Sequence, residues 1–410
     1  MNIKFIKDVS ANILTLVINV ISPLILIPIL ANGLGMSLYG DYMALIGLVA
    51  LCTVIADLGF DMYLSKEISI FRNDLTKISR LLSVYLVVKV LFSILLLLFL
   101  YLLLPKLAGV NQLLLLALVW FLYVNTSLKP TAFFNGLEKY VLLSQAEILG
   151  KLLLVLLVLI LDFTTFGIEK ALGVQLVSGL FINIVLFYLL NFKLKLKLCL
   201  ISTLEIKQLI SDSFGFFSAR LFVNIYNQSS TYLVSLVLKS ELVAAYSIGI
   251  QLYKVGQAFV GAIAKVLYTR TVKSKNFNLV LRLTIIILTL QFVCFPIVYY
   301  WGEDIIAFIL NVSGNEVAQA ANVFYISLFF VTVASFWGYP VMVALDKERY
   351  AHYGIFFGSI VYFITFGIGY LFFEFDLFFA VLCILIADMS SCILRIYFSK
   401  KFISKKMLFR

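Results

Sequence analysis

Charged side chains are scarce in this chain: they make up 13% of its 410 residues, whereas 63% of the residues are hydrophobic. Soluble domains carry about 25% charged residues, so the sequence lacks the polar surface that a water-soluble protein of this length needs. The mean hydropathy is +1.08. The segment from Gln112 to Leu128 contains no charge, and that from Leu81 to Leu104 contains only Lys89. These absences exclude a soluble protein.

Histidine and cysteine are also rare. The only histidine is His352, which excludes a metal centre built from several histidines. The five cysteines are odd in number, well separated and form no Cys-x-x-Cys motif, so we interpret them as small apolar core residues. Clusters of catalytic residues are missing as well. We therefore expect no metal, no cofactor and no enzymatic activity.

What the sequence does contain is a series of long apolar runs. About 20 apolar residues cross the hydrocarbon of a bilayer as a helix, and a helix satisfies its own backbone hydrogen bonds there. The runs predict an all-α integral membrane protein with twelve transmembrane helices. The seventh is predicted at about Phe214–Leu238 and the eighth at about Ala244–Tyr268.

The basic residues indicate an orientation. With the N-terminus in the cytoplasm, 25 of the 32 lysine and arginine residues lie on the cytoplasmic side and only three on the other. Because such a bias sets the orientation of membrane proteins, we predict cytoplasmic N- and C-termini in a bacterial inner membrane. The net charge of +11 then faces anionic membrane lipids, and we expect no binding of nucleic acid.

A weak internal repeat divides the chain. The Leu, Leu and Tyr of Leu34–Tyr42 recur in Leu238–Tyr246, 204 positions later, at the same place in each set of six helices. A parallel repeat of this kind encloses a cavity between two bundles that provide alternating access. The predicted parts are a six-helix bundle at residues 1–190, a cytoplasmic linker with an amphipathic helix at 191–213, a second six-helix bundle at 214–398 and a basic cytoplasmic tail at 399–410.

Four of the predicted helices carry a basic residue on a polar face. An ionisable group in hydrocarbon costs about 2.5–3.5 kcal/mol on insertion scales, so these groups predict a cationic cavity that binds an anion such as a diphosphate. The alternative is structural pairing, as between Glu147 and Lys151, which are four residues apart. The predicted substrate-binding residues are Arg220, Lys254, Lys151, Lys89, Asn224, Asn227 and Gln251.

Acidic residues inside the predicted helices are fewer. An acid in a membrane cavity can bind and release H⁺ or Na⁺ and so couple transport to an ion gradient. Asp57, Asp388 and Glu147 are therefore candidates for ion coupling. The alternative for Asp57 and Asp388 is a salt bridge to a basic residue of a neighbouring helix.

Short motifs along the whole chain resemble those of one membrane protein superfamily. They are Leu34–Gly35 with Tyr39–Gly40, Asp57–Phe60, Arg72–Asp74, Asn135–Lys139, Phe217–Arg220 and Ala245–Ser247. In order and spacing they resemble the polysaccharide flippases of the MOP (MATE-like) superfamily, and most of all the Wzx-type O-antigen flippases. This resemblance implies a MATE-like fold and the ion-coupled transfer of an undecaprenyl-diphosphate-linked O-antigen unit to the periplasmic leaflet.

Two other functions stay open. A MATE-type drug or ion antiporter has the same fold, but the resemblance implies an acidic cavity for it, and the buried charge here is mostly basic. A polytopic membrane enzyme would be expected to carry a large periplasmic loop, as in an O-antigen polymerase, or clustered acids at a membrane face. Neither feature is present in the sequence.

Overall fold

Helices are the only regular elements in the part of the chain that the computed structural model describes, namely residues 3–105, 107, 109–163, 167–312 and 314–403. Within these ranges the backbone alone is described at residues 3–13, 16, 216, 218–225 and 227. The chain forms two compact units, Met1–Tyr232 and Leu233–Arg410. The prediction of an all-α membrane protein is confirmed.

The first unit contains helices α1 to α8, followed by a π-helical turn at Leu189–Lys193 and by most of α9. Their bounds are α1 Ile3–Leu34, α2 Met36–Asp57, α3 Phe60–Ile70, α4 Leu75–Leu103, α5 Gln112–Ser127, α6 Thr131–Gly136, α7 Tyr140–Ile160, α8 Gly167–Tyr188 and α9 Thr203–Ser235.

The second unit contains helices α10 to α15. Their bounds are α10 Ser240–Ser274, α11 Phe277–Leu310, α12 Asn315–Trp337, α13 Tyr339–Ala344, α14 Glu348–Phe372 and α15 Leu377–Phe402.

Ten segments among the described residues are long and apolar enough to cross a membrane. Helices α9 and α10, with 33 and 35 residues, lie outside that set although their length suffices. These two helices carry the polar faces of the predicted seventh and eighth spans, and those side chains lower their hydropathy. The chain is a multi-pass membrane protein, and the count of twelve spans stays a prediction.

Three helices predicted as continuous are broken in the structure. Helix α2 ends where Leu58 and Gly59 adopt left-handed backbone conformations, with φ values of 48° and 78°. Proline stands at the start of the two six-residue helices, Pro130 before α6 and Pro340 within the first turn of α13. Because proline has no N–H to donate, it fits the first turn of a helix and interrupts a continuous one.

The two six-residue helices end in the same way. Each is followed by a leucine, a left-handed acidic residue and a lysine, and the acidic residues are Glu138, with φ 54°, and Asp346, with φ 58°. In both, the lysine N–H donates to the carbonyl five residues earlier at 2.8 Å, the hydrogen bond of a Schellman motif. This local match, with 208 positions between its two copies, supports the internal repeat more strongly than the leucine and tyrosine positions do.

Side chains of other helices bond the carbonyls that the breaks leave free. Between α5 and α6, the Tyr85 hydroxyl donates to the carbonyls of Ser127 at 2.8 Å and Lys129 at 3.1 Å. Such compensation is what permits a broken helix at membrane depth. Tyr85 thus holds the backbone of Lys129 in place.

The equivalent break in the second unit is bonded from α15. Arg395 is 6% exposed and donates to the carbonyl of Ala334 at 2.7 Å, and Ser399 donates to that of Trp337 at 3.0 Å. The charge pattern of the sequence alone places Arg395 on the cytoplasmic side. In the structure its side chain is buried within the unit and bonded to the backbone.

The segment before α9 is fixed to the first unit. The Cys199 N–H donates to Ser83 Oγ of α4 at 2.8 Å, and Tyr63 of α3 donates to Asp212 of α9 at 3.1 Å. Helix α9 opens with a capping box, in which the Ser202 N–H donates to Glu205 at 2.7 Å and so lowers the pKa of that carboxyl. The helix expected within residues 191–213 is therefore the first turns of α9 itself.

Gly136 allows α6 and α3 to pack closely. A Cβ atom there would lie 2.7 Å from Cβ of Ile68 and 2.9 Å from the Ser65 carbonyl oxygen. Alanine normally stabilises a helix over glycine by about 1 kcal/mol, but overpacking costs about 1–3 kcal/mol. We predict that Gly136→Ala lowers the melting temperature of the detergent-purified protein. Gly173→Ala is the control, because a Cβ atom there would meet no neighbouring side chain or other element within 4 Å; equal melting temperatures would contradict this packing.

Candidate functional site

Helix α9 carries Arg220, Asn224 and Asn227 on an uninterrupted helical backbone. Their spacing of four and three residues places them on one face of the helix. Their side chains lie outside the described residues. Their assignment to a substrate-binding face stays a prediction.

Lys254 and Gln251 lie on α10, one turn apart and half-buried. Among the described residues, no hydrogen-bond acceptor and no carboxylate within 4 Å pairs with the Lys254 ammonium. A cation without an acid is unusual inside a membrane protein, because its insertion is costly. Lys254 thus has the property expected of a group that binds an anion.

Asp388 of α15 is 7% exposed and binds only neutral donors among the described hydrogen bonds. Its Oδ2 atom accepts hydrogen bonds from the hydroxyls of Tyr253 on α10 and Ser327 on α12, the latter at 2.5 Å. Three helices of the second unit therefore meet at one carboxylate. Sequence reasoning missed Tyr253 and Ser327, since hydroxyls in apolar helices are common and only the fold places these two beside an acid.

Lys89 of α4 is 3% exposed and faces the end of α2. Its ammonium donates to the Ala56 carbonyl at 3.0 Å and lies 3.8 Å from an Asp57 oxygen. A cation at a helix C-terminus is favourable because unsatisfied carbonyls collect there. This geometry favours the structural interpretation for Lys89, and it gives Asp57 a basic partner.

Glu147 of α7 pairs with Lys129 and not with Lys151, its neighbour one turn away. Lys129 Nζ donates to Glu147 Oε1, and the two side chains are 30% and 13% exposed. Lys151 is near enough to feel the charges of both, yet it makes no ion pair or hydrogen bond with a described residue. Sequence reasoning missed Lys129, because it stands at the unforeseen break before Pro130.

The described residues contain no group of three or more histidine, cysteine, aspartate and glutamate side chains placed to hold a metal ion. A cavity of about 200 Å³ in the second unit is lined almost entirely by apolar side chains and includes Tyr253 and Asn322. Lys254, Asp388 and Lys151 do not line this cavity.

Comparisons with known proteins identify the family and the fold. A family model described as "Polysaccharide biosynthesis protein" matches residues 5–274. No curated protein sequence matches the chain.

Several solved structures share the fold. The lipid II flippase MurJ in an inward closed conformation superposes with a TM-score of 0.72, at 14% identity, over 98% of this chain and 89% of that chain. An inward-facing multidrug resistance MATE transporter gives 0.66, at 13% identity, over 97% of both chains. A MOP-superfamily transporter from Pyrococcus furiosus, described as having a binding pocket of reverse polarity, gives 0.57 at 14% identity, over 97% of this chain and 95% of that one. The chain therefore has the fold of MOP-superfamily transporters.

Lys89 provides a test of the structural interpretation. Lys89→Met leaves the Ala56 carbonyl without its donor and Asp57 without its cation, which costs about 1–3 kcal/mol. We predict a lower melting temperature for Lys89→Met in detergent, whereas Lys139→Met, at an exposed position before α7, leaves it unchanged. A stable but inactive Lys89→Met protein would instead favour a role in substrate binding.

Proposed function

The chain belongs to the polysaccharide biosynthesis protein family, and from this premise we propose that it is a flippase for a lipid-linked sugar. The substrate is an undecaprenyl-diphosphate-linked O-antigen unit or a related polysaccharide repeat unit. It moves from the cytoplasmic to the periplasmic leaflet of the bacterial inner membrane by alternating access. Both termini of the chain are cytoplasmic in this proposal.

The observation that carries the proposal is basic charge without described acidic partners. Lys254 and Lys151 lie in helices of membrane length, and neither forms an ion pair among the described residues. An isolated cation there is stabilised when an anion binds. The diphosphate of a lipid-linked sugar supplies such an anion, while its prenyl chain remains in the hydrocarbon.

The chemistry of binding differs among the predicted residues. Arg220 suits a phosphate because its guanidinium donates two parallel hydrogen bonds, whereas Lys254 acts as a compact point charge. Asn224, Asn227 and Gln251 supply neutral donors and acceptors that match sugar hydroxyls. Arg220, Asn224 and Asn227 follow one face of α9, and Gln251 and Lys254 lie one turn apart on α10.

An ion gradient drives the transport in this proposal, with H⁺ or Na⁺ as the coupling ion. Asp388 is the candidate best suited to bind a proton, because both of its described hydrogen-bond partners, Tyr253 and Ser327, are neutral hydroxyls that can also accept a hydrogen bond. Arg395 on the same helix lies within electrostatic reach of Asp388 but donates to a backbone carbonyl. Asp57 and Glu147 each have a lysine nearby, and a cation beside a carboxylate disfavours protonation.

A MATE-type antiporter is the second candidate, since MATE transporters share the fold. The sign of the charge separates the two functions. A cation exporter needs acids that are free to bind its substrate, and two of the three candidate acids are beside lysines. Transport of a cationic dye by vesicles that contain this chain would support the antiporter.

Removal of single basic groups tests the flippase. We predict that Lys254→Ala and Arg220→Ala each abolish complementation of a flippase-null strain, because the diphosphate loses a charged partner, and that Lys254→Arg retains part of it. Surface polysaccharide is the readout, with membrane levels of each variant measured by immunoblot. Lys239→Ala, at the exposed start of α10, should complement fully. Full complementation by both Lys254→Ala and Arg220→Ala would exclude these two residues from substrate binding.

Asp388→Asn tests the coupling. The amide keeps the size of the side chain but cannot take up a proton, so we predict that an imposed pH gradient no longer accelerates transport in proteoliposomes, while a protonophore removes that acceleration from the wild type. Asp376→Asn is the matched control on the same helix, because asparagine also caps a helix and Asp376 caps α15. Wild-type acceleration in Asp388→Asn would exclude this carboxylate as the proton carrier.

A further inference from the structure

Three charged side chains meet where α7 faces the break before α6. Glu147 is held by Lys129, and Lys151 lies one turn further along α7, within electrostatic reach of both. Two lysines and one carboxylate leave one net positive charge. Within this group Glu147 pairs with Lys129, so the charge of Lys151 is not balanced by an ion pair with a described residue.

In the proposed orientation, the group is reached from the cytoplasmic side, from which the proposed substrate enters. Glu147 and Lys151 follow the start of α7 at Tyr140 by seven and eleven residues, which is about 10 and 16 Å of helix. In the proposed orientation α7 starts at the cytoplasmic face. Glu147 then lies in the inner half of the bilayer and Lys151 near its middle.

The backbone of Lys129 is held in place, whereas its side chain can exchange one partner for another. The Tyr85 hydroxyl bonds its carbonyl at 3.1 Å, and Pro130 follows directly. The side chain is 30% exposed, so the protein does not enclose the ammonium. The backbone of Lys129 is therefore fixed, while its flexible four-carbon side chain allows the ammonium to move.

We propose that Lys129 and Lys151 form a binding subsite for the diphosphate group of the lipid-linked substrate, and that Glu147 holds Lys129 until that group arrives. The inference rests on the proposed function and adds to it one binding residue, Lys129, and one opposing residue, Glu147. When the diphosphate binds, Lys129 exchanges the carboxylate for a phosphate oxygen and Lys151 gains its first partner. No covalent bond changes in this step.

The carboxylate has a defined energetic role. Because Glu147 competes with the phosphate for Lys129 and repels it directly, it weakens binding. A site with this built-in competitor also releases its ligand more readily, which a transporter needs at the end of its cycle. This competition predicts the direction of the change in affinity. Removal of the negative charge of Glu147 must tighten ligand binding, whereas removal of a merely structural partner would not.

The experiment measures binding of two probes, farnesyl diphosphate and inorganic pyrophosphate, to the full-length chain in nanodiscs. Lys129→Met and Lys151→Met should each weaken binding about tenfold, the effect of one charge-assisted hydrogen bond, and Lys129→Arg should retain it. Glu147→Gln should tighten binding several-fold, and by less when Lys129 is already methionine, as expected for coupled residues.

The control is Glu138→Gln, which removes the acid from the surface pair with Arg72, where the side chains are 2.9 Å apart and 40% or more exposed; it should not change the affinity. Tighter binding of farnesyl diphosphate than of pyrophosphate would assign the subsite to a lipid headgroup, and equal binding to the diphosphate group alone. If folded Glu147→Gln binds the probes as tightly as the wild type or more weakly, the proposed subsite is wrong, but the proposed flippase function is not affected. A folded wild-type chain that binds neither probe overturns both.

Discussion

The need to satisfy each polar backbone group inside an apolar medium governs this structure. The first unit contains two helix breaks within predicted spans, and the second unit contains one. At each, a side chain from another helix bonds a carbonyl: Lys89 bonds Ala56, Tyr85 bonds Ser127, and Arg395 bonds Ala334. Since an unsatisfied group in hydrocarbon costs several kcal/mol, these side chains are what make broken helices tolerable. The short helices α6 and α13, with their shared endings, depend on them.

The same constraint divides the buried and half-buried basic residues into those that bond the backbone and those that do not. Lys89 and Arg395 are buried basic residues, and both are bonded to the backbone. Their presence therefore needs no ligand to explain it. Lys254 and Lys151 differ, because neither makes a hydrogen bond or an ion pair with a described residue. The proposed substrate chemistry therefore rests on the buried and half-buried cations that are not bonded to the backbone. These are fewer than the sequence alone suggests.

The sequence predicts the long helices because a run of apolar residues is a local property that the hydrocarbon thickness makes decisive. It predicts the breaks poorly. Pro130 and Pro340 are visible in the sequence, but proline is also tolerated in a merely kinked membrane helix, and Leu58 gives no sign of its left-handed backbone.

Partners are harder still to predict. The local rule pairs Glu147 with Lys151, four residues away, yet Lys129 lies closer once the chain breaks before α6. Likewise, the proximity of Tyr253 to Asp388 depends on how α10 packs with α15, and one sequence carries no record of that contact. Under the proposed function this proximity has a consequence. Because Tyr253 precedes Lys254 on α10, a change in the protonation of Asp388 acts on the helical turn that also carries a substrate-binding cation. Ion binding and anion binding then share one segment of helix, so coupling between them requires no long path through the protein.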